Sequence, residues 1–98
     1  MIEIRETGAF GAWLDRLRDG TAKARIAARL RRLAFGNPGD VRSVGGGVCE
    51  LRLHLGPGYR VYFVQRGAAL IILLGGGDKS SQSRDIEAAK ALARELED

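Results

Sequence analysis

Hydrophobic residues in the first third of the chain recur at the spacing of helices. Ile2 and Ile4 alternate with charged residues, which predicts a short first strand. Two apolar stripes follow, each with the spacing of one helix face. The first stripe contains Phe10, Trp13, Leu14 and Leu17, and the second contains Ile26, Leu30 and Leu33. The pattern predicts two amphipathic helices, and we expect Trp13 and Phe35 to lie in the core.

Polar and glycine residues mark the ends of these two helices. Thr7 and Thr21 are the predicted N-caps, because a threonine hydroxyl can accept a hydrogen bond from the first helical turn. Asp19 and Gly20 end the first helix, and the segment GNPGD (residues 36–40) ends the second. A link this short between two helices predicts an antiparallel helical hairpin.

After residue 40 the apolar positions recur with the period of strands. Four strands are predicted, with the sequences VRSVGGG, VCELRLHL, YRVYFVQ and ALIILLGGG. Short turns at GPG and RG separate the last three, so these strands are expected to form an antiparallel meander.

A polar loop, DKSSQSRD, separates the last strand from a predicted terminal helix. Ser83 is the predicted N-cap of this helix, and its predicted inward residues are Ile86, Ala89, Ala93 and Leu96. The order β-α-α-β-β-β-β-α predicts an α+β fold, with the helical hairpin and the C-terminal helix packed on a small antiparallel sheet. With 98 residues, the chain is expected to form a single domain, 1–98.

Charge is distributed unevenly along the chain. The formal net charge is +4, and seven basic residues lie between Arg16 and Arg32 against Asp19 alone. This moderate excess favours an anionic partner only slightly. Arg25 and Arg29 share a face of the second helix with Arg32, where solvation, a nucleic-acid contact and an acidic partner peptide remain open.

Cysteine and histidine counts limit the chemistry further. Cys49 is the single cysteine and His54 the single histidine, so neither an internal disulfide nor a metal cluster is expected. A buried thiol in a reducing compartment is the plain interpretation of Cys49. The N-terminus lacks the pattern of a signal peptide, and no apolar run approaches the ~20 residues of a membrane span. We therefore expect a cytoplasmic protein without a membrane partner.

The segment ELRLHLGPGYRVYF (residues 50–63) carries several groups that can bind anions or move protons. Because side chains alternate between the faces of a strand, Arg52, His54, Arg60 and Tyr62 are predicted to share one face. A GPG loop would bring His54 opposite Arg60 and Arg52 opposite Tyr62. From the pattern alone, a solvated face and a phosphate site with Tyr62 stacked on a base are equally good interpretations.

The polar loop after the last strand is the second candidate. Lys79, Ser80, Ser81 and Gln82 can contact phosphates through side chains and backbone N–H groups. It is not a nucleotide-binding loop, because no Gly-Lys-Ser/Thr follows a strand at the required spacing. A flexible connector is the alternative interpretation.

Three segments together resemble a known protein family. They are FGAWLDRLRDGTAKARIAARLRRLAFGNPGD, GVCELRLHLGPGYRVYF and LLGGGDKSSQSRDIEAAKALA. The resemblance runs in order, with matching gaps, along essentially the whole chain. The chain resembles the small toxins of bacterial type II toxin–antitoxin modules, and more narrowly the RelE/HigB-like addiction-module killer proteins of the RelE/ParE superfamily. The resemblance implies a microbial RNase-like fold, with helices packed on a twisted antiparallel sheet.

The function implied by the resemblance is that of a metal-independent endoribonuclease without a cofactor. RelE-type toxins cut mRNA in the ribosomal A site by attack of the ribose 2′-OH on the adjacent phosphate, which needs proton transfer and cations at the developing charge. The implied partners are the ribosome with its mRNA and a cognate antitoxin with a helix-turn-helix DNA-binding segment, in a hetero-oligomer. The alternatives are a ParE-like DNA gyrase poison without nuclease activity and an inactive homologue that serves as a binding module.

The resemblance also implies roles for individual residues. Arg60 matches the arginine of the family's Tyr-Arg motif, Arg52 a basic strand position, and Lys79 a loop that often supplies catalytic groups. His54 is a candidate acid or base on the predicted register, not on the family. The expected RNA-binding residues are Tyr62, Ser80, Gln82 and Arg84. The chain departs from the family because no tyrosine or histidine follows Tyr62, so the acid/base pair is not assigned.

Overall fold

The computed structural model describes residues 1–97. Its elements are β1 (Glu3–Glu6), α1 (Gly8–Arg16), α2 (Gly20–Ala34), β2 (Val41–Gly45), β3 (Val48–Arg52), β4 (Arg60–Arg66), β5 (Leu70–Gly77) and α3 (Gln82–Glu95). A short 3₁₀ turn, Lys79–Ser81, joins β5 to α3. This order confirms the predicted α+β fold. Within the described range, no helix is long and apolar enough to cross a membrane.

The five strands form one sheet in the order β1-β5-β4-β3-β2. Strands β2 to β5 pair antiparallel with their neighbours in the chain, which confirms the predicted meander. The prediction of an antiparallel sheet was wrong in one detail. β1 pairs parallel with β5, so the sheet is mixed. The alternation of Ile2 and Ile4 predicts a strand but carries no information on its neighbour. β1 and β2 lie at opposite edges of the sheet, so α1 and α2 form the crossover between the edge strands.

Apolar side chains pack on both faces of the sheet, which makes it the middle layer of the fold. The first face packs against α1 and α2, and its buried core consists of Phe10, Ala22, Ile26, Leu33, Leu51, Leu53, Tyr59, Val61, Phe63, Ile71 and Leu73. The second face packs against α3, and its buried apolar cluster consists of Val48, Tyr62, Val64, Leu74, Ala89 and Ala93. The period of two along β3 and β4 divides their side chains between these faces.

The helix caps only partly follow the prediction. Thr7 caps α1, since its hydroxyl accepts a hydrogen bond from the Phe10 amide at 3.3 Å, as predicted. Thr21 is not the cap of α2. Asp19 is, because the helix already begins at Gly20 and the Asp19 carboxylate accepts from the amides of Thr21 and Ala22 at 3.0 and 3.1 Å.

Ser83 is not a cap either, because it lies inside α3. The helical conformation begins earlier, at the 3₁₀ turn, where the Asp78 carboxylate accepts a hydrogen bond from the Ser80 amide at 2.8 Å. In both cases the capping residue is an aspartate just before the first helical turn, and the predicted serine or threonine cap lies one or more positions inside the helix.

Two large apolar residues predicted to face inward are exposed. Phe35 is 71% exposed, since it lies two positions beyond the buried Leu33 and two helical positions turn a side chain about 200° around the axis. Leu96 is 39% exposed just after the last turn of α3. Trp13 is half-buried against the first-face core, with its ring 5.9 Å from that of Phe10 and 6.4 Å from that of Tyr59.

Strand β5 ends in glycines because two helices approach it closely. A Cβ atom at Gly76 would overlap the Trp13 ring, which lies on the first face. A Cβ atom at Gly77 would overlap the Asp85 carboxylate of α3. Gly75 has no such neighbour within 4 Å. The glycines therefore let α1 and α3 approach opposite faces of the same strand end.

Candidate functional site

The β3–β4 hairpin places the predicted arginines directly opposite each other. Arg52 pairs with Arg60, and Glu50 pairs with Tyr62. The predicted register was wrong by two residues, because the loop is longer than Gly-Pro-Gly. A backbone hydrogen bond of 2.9 Å from Leu53 N to Tyr59 O closes it. A shift of two preserves the faces, so these four side chains still share the second face of the sheet.

His54 does not join this cluster. It lies in the loop rather than in β3, and its side chain is 70% exposed. Its Nε2 lies 2.5 Å from Oδ2 of Asp40, and this hydrogen bond lowers the pKa of the Asp40 carboxyl. The expected position opposite Arg60 is occupied by Arg52 instead. Because the loop is longer than predicted, His54 does not lie opposite Arg60, where the predicted register had placed it.

Glu50 is the centre of the cluster, and the sequence reasoning missed it as a site residue. Its side chain is fully buried. Oε2 accepts hydrogen bonds from the Tyr62 hydroxyl and from Nε2 of Gln82, both at 2.9 Å. The sequence did contain a signal for this role: Glu50 is an acidic residue within an apolar alternation, two positions before Arg52. A buried carboxylate is costly unless it is paired, so its partners define the site.

The two arginines lie beside Glu50 without hydrogen-bonding to it. Nε of Arg60 is 3.9 Å from Oε2, and Nε of Arg52 is 3.8 Å from Oε1. Both distances exceed the hydrogen-bond range. Within residues 1–97, these two Nε atoms and Oε1 of Glu50 are buried without a hydrogen-bond partner. Nε of Arg29 and Nε of Arg66 are unpartnered in the same way elsewhere in this range. What distinguishes the cluster is that three such atoms lie around one carboxylate, which suits it to receive a further polar group.

Tyr62 supports Glu50 instead of presenting its ring to a ligand. The side chain is fully buried and packs in the second-face cluster with α3. Burial raises the pKa of its phenol, and the hydrogen bond to Glu50 raises it further. The prediction that Tyr62 stacks on a base requires an exposed ring face, and the Tyr62 ring is buried in this structure.

The loop after β5 lies beside the same hairpin. Gly77, at the end of β5, pairs with Arg60, and the amide of Lys79 donates to the Pro57 carbonyl at 3.3 Å. A polar cleft of about 300 Å³ is lined by Lys79, Ser80, Ser81, Gln82, Ser83 and Arg84. Lys79 and Arg84 are exposed there. The start of α3 adds the positive end of a helix dipole to this cleft.

Only part of the predicted RNA-binding loop is available to a ligand. The amide and hydroxyl of Ser80 both donate to Asp78, at 2.8 and 2.6 Å, and these bonds lower the pKa of the Asp78 carboxyl. Gln82 is turned inward to Glu50. The loop thus forms a hydrogen-bonded helix start, and it links α3 to the arginine cluster.

The basic face of α2 has a structural member. The Arg29 guanidinium donates to three carbonyls, those of Arg52, Pro38 and Asp40, at 2.6, 3.1 and 3.3 Å. Its pKa is lowered, chiefly by burial and then by Arg32. Arg29 therefore ties α2 to the start of the β3–β4 loop.

Among residues 1–97, no group of three or more His, Cys, Asp or Glu side chains is arranged to hold a metal ion. The site is cationic: the buried Arg60 and the partly exposed Arg52 flank one buried carboxylate, and Lys79 and Arg84 lie at an adjacent cleft. Such an arrangement of guanidinium groups suits the binding of a phosphate or another oxyanion.

Comparisons with known proteins identify the family of the chain. The chain belongs to the family described as phage derived protein Gp49-like (DUF891), whose family model matches residues 12–97. It is also similar to an uncharacterized protein of Haemophilus influenzae, with 53% identity over 95 residues that cover 97% of this chain and 96% of the relative. The Gp49-like family is a RelE/HigB-like toxin family of toxin–antitoxin modules, so membership indicates an antitoxin partner.

Proposed function

We propose that the chain is the toxin of a type II toxin–antitoxin module and acts as a ribosome-dependent mRNA endonuclease. The observation that carries the proposal is Arg60, which is only 4% exposed, lies opposite Arg52 and has a buried Nε without a hydrogen-bond partner within residues 1–97. The two facing arginines, of which Arg60 is buried and Arg52 is 24% exposed, concentrate positive charge around one carboxylate. The phosphate at the scissile bond of RNA is the anion that a toxin of this family would hold there.

The proposed reaction starts with attack of the ribose 2′-OH on the adjacent phosphorus. The 2′-OH releases its proton to solvent as the new P–O bond forms, and the bond to the 5′-oxygen breaks, leaving a 2′,3′-cyclic phosphate and, after protonation, a 5′-hydroxyl. Negative charge grows on the phosphorane oxygens, and Arg60 and Arg52 are the residues proposed to stabilise it. Lys79 is the proposed proton donor to the leaving 5′-oxygen, because it is exposed beside the strand end that pairs with Arg60.

The remaining assignments follow from the positions of the side chains. Arg84 and Ser80 line the cleft at the start of α3, where the RNA backbone would continue. Tyr62 and Gln82 act through Glu50. His54 is omitted from the proposed catalytic group, since it lies in the loop and binds Asp40. The cognate antitoxin, with its helix-turn-helix segment, would form the neutralising hetero-oligomer in the cytoplasm, where the ribosomes are.

The test is induction of the toxin alone, with mapping of new RNA 5′ ends. The wild type is expected to arrest growth and to produce ribosome-dependent cuts within coding sequences. Arg60→Ala is expected to abolish both while antitoxin binding persists, because Arg60 is removed from the charge-stabilising pair. Arg16→Ala is the matched control, since Arg16 is exposed at the end of α1 rather than on the sheet.

Full toxicity of Arg60→Ala would refute the role of Arg60. Growth arrest without new 5′ ends, accompanied by an SOS-type DNA-damage response, would replace the nuclease by a ParE-like gyrase poison. Expression without any growth defect would instead identify an inactive homologue that serves as a binding module.

A further inference from the structure

The function of Glu50 goes beyond the roles that the resemblance assigns. We propose that Glu50 is a positioning residue, which holds Arg60 and Arg52 in place for a phosphate and couples them to the start of α3 through Gln82. The inference rests on the proposed function, because it assigns the buried carboxylate a role at the same site. Glu50 does not contact RNA in this proposal, since its side chain is fully buried.

The carboxylate balances the two arginines without using their hydrogen-bond donors. Like charges directly opposite each other on neighbouring strands repel, and Arg52 and Arg60 are such a pair. Glu50 lies within 4 Å of both Nε atoms, yet neither contact is a hydrogen bond. In a bidentate ion pair the carboxylate would occupy two N–H donors of an arginine. Here the attraction holds both guanidinium groups near one carboxylate, and their N–H groups are not committed to it.

The second part of the proposal concerns α3. Gln82 is the first residue of α3, and its amide donates to the same Oε2 atom that accepts from Tyr62. Glu50 therefore joins strand β4 to the helix start by hydrogen bonds from both elements. Lys79 precedes Gln82 by one 3₁₀ turn. A displacement of Glu50 would consequently disturb the arginines and the Lys79 cleft together.

Glu50→Gln is the variant that separates charge from shape. It keeps the volume and an oxygen that can accept from Tyr62, but it removes the charge that holds the arginines. We expect single-turnover mRNA cleavage on ribosomes to fall about 100-fold, because small misplacements of catalytic groups have effects of that size. Binding of a non-cleavable 2′-O-methyl RNA is expected to stay within about threefold of wild type, since the loss falls on the chemical step. Glu50→Asp, which keeps the charge, should recover part of the rate.

A second readout does not depend on activity. The Nε–H NMR signals of Arg52 and Arg60, assigned with Arg52→Lys and Arg60→Lys, should shift in Glu50→Gln. Glu87→Gln makes the same change of charge at an exposed position on α3 and should shift neither signal nor the cleavage rate. A merely structural role for Glu50 would lower stability and leave the cleavage rate of the folded protein at its wild-type value.

The outcomes separate this inference from the proposed function. If wild type cleaves RNA, and Glu50→Gln cleaves equally fast with unshifted arginine signals, the positioning role is overturned and the nuclease stands. If wild type does not cleave RNA but the signals shift, the nuclease fails, and the shifts still show that the Glu50 charge acts on both arginines. If Glu50→Gln does not fold, Gln82→Ala decides the matter. It removes one hydrogen bond to Glu50, and a wild-type cleavage rate in that variant would overturn the proposal.

Discussion

The two faces of the sheet differ in the chemistry of their buried side chains. The first face, under α1 and α2, is apolar throughout its buried cluster. The second face, under α3, has a smaller apolar cluster and places the fully buried Glu50 beside two arginines. Apolar burial stabilises a fold, whereas replacing a buried ion pair by apolar residues is often neutral or stabilising. The difference indicates that the first face contributes most of the stability, and it agrees with the functional role that we propose for the charged group on the second face.

The largest expected effect is on the first face. Phe10→Ala should lower the free energy of unfolding by about 3–5 kcal/mol, because Phe10 is fully buried and its loss leaves a cavity. Urea denaturation of the purified protein measures this. Phe35→Ala is the matched control, since Phe35 is 71% exposed, and its effect should lie within about 0.5 kcal/mol. Equal losses for the two variants would contradict the location of the core.

A glycine substitution tests how closely α1 packs on the first face. Gly76→Ala should lower stability by about 1–3 kcal/mol, since its Cβ would overlap the Trp13 ring and force that side chain to move. Thermal unfolding and the tryptophan fluorescence of the folded variant report the two effects. Gly75→Ala has no neighbour within 4 Å of the added atom and should be close to neutral. If Gly75→Ala proves as damaging as Gly76→Ala, close packing is not the reason for the glycine.

Tyr62→Phe tests the cost of the polar group on the second face. It should lower stability at pH 7 by about 1–3 kcal/mol, because Glu50 loses one of its two hydrogen bonds. The pKa of Tyr62 is raised in the folded state, so its stabilising effect is present below the ordinary value of 10.0 and is lost as the pH rises above it. Urea unfolding from pH 7 to 11 measures both. A variant whose stability falls as steeply as that of wild type above pH 10 would contradict the assignment.

The smallest expected effect is at the start of the 3₁₀ turn. Asp78 has a lowered pKa, chiefly through the hydrogen bond from the Ser80 hydroxyl, so its contribution is present above the ordinary value of 3.8 and is lost as the pH falls below it. Asp78→Asn should change stability at pH 7 by less than about 0.5 kcal/mol, since asparagine is an equally good cap. Thermal unfolding between pH 5 and 2.5 should show a weaker acid dependence for the variant. Identical acid dependence in both proteins would exclude this role for Asp78.

Local patterns predicted the secondary structure and the division of side chains between the faces. The helix stripes correctly predicted the burial of Phe10, Ile26 and Leu33, and the period of two placed Arg52 and Arg60 on one face with Tyr62. The faces survived the error in the hairpin register because that error was an even number of residues. These features depend on neighbours a few positions away, which is the range that a sequence pattern describes.

The tertiary structure alone decided which side chains meet. The loop after Leu53 is two residues longer than its Gly-Pro-Gly signature indicates, and this length moves His54 to Asp40 and brings Arg52 opposite Arg60. The hydrogen bond from Gln82 to Glu50 spans 32 residues and depends on how α3 docks on the sheet. Periodicity determines the direction of a side chain from its own strand or helix. Its partner depends on loop length and helix docking, which are set by the packing of the whole domain.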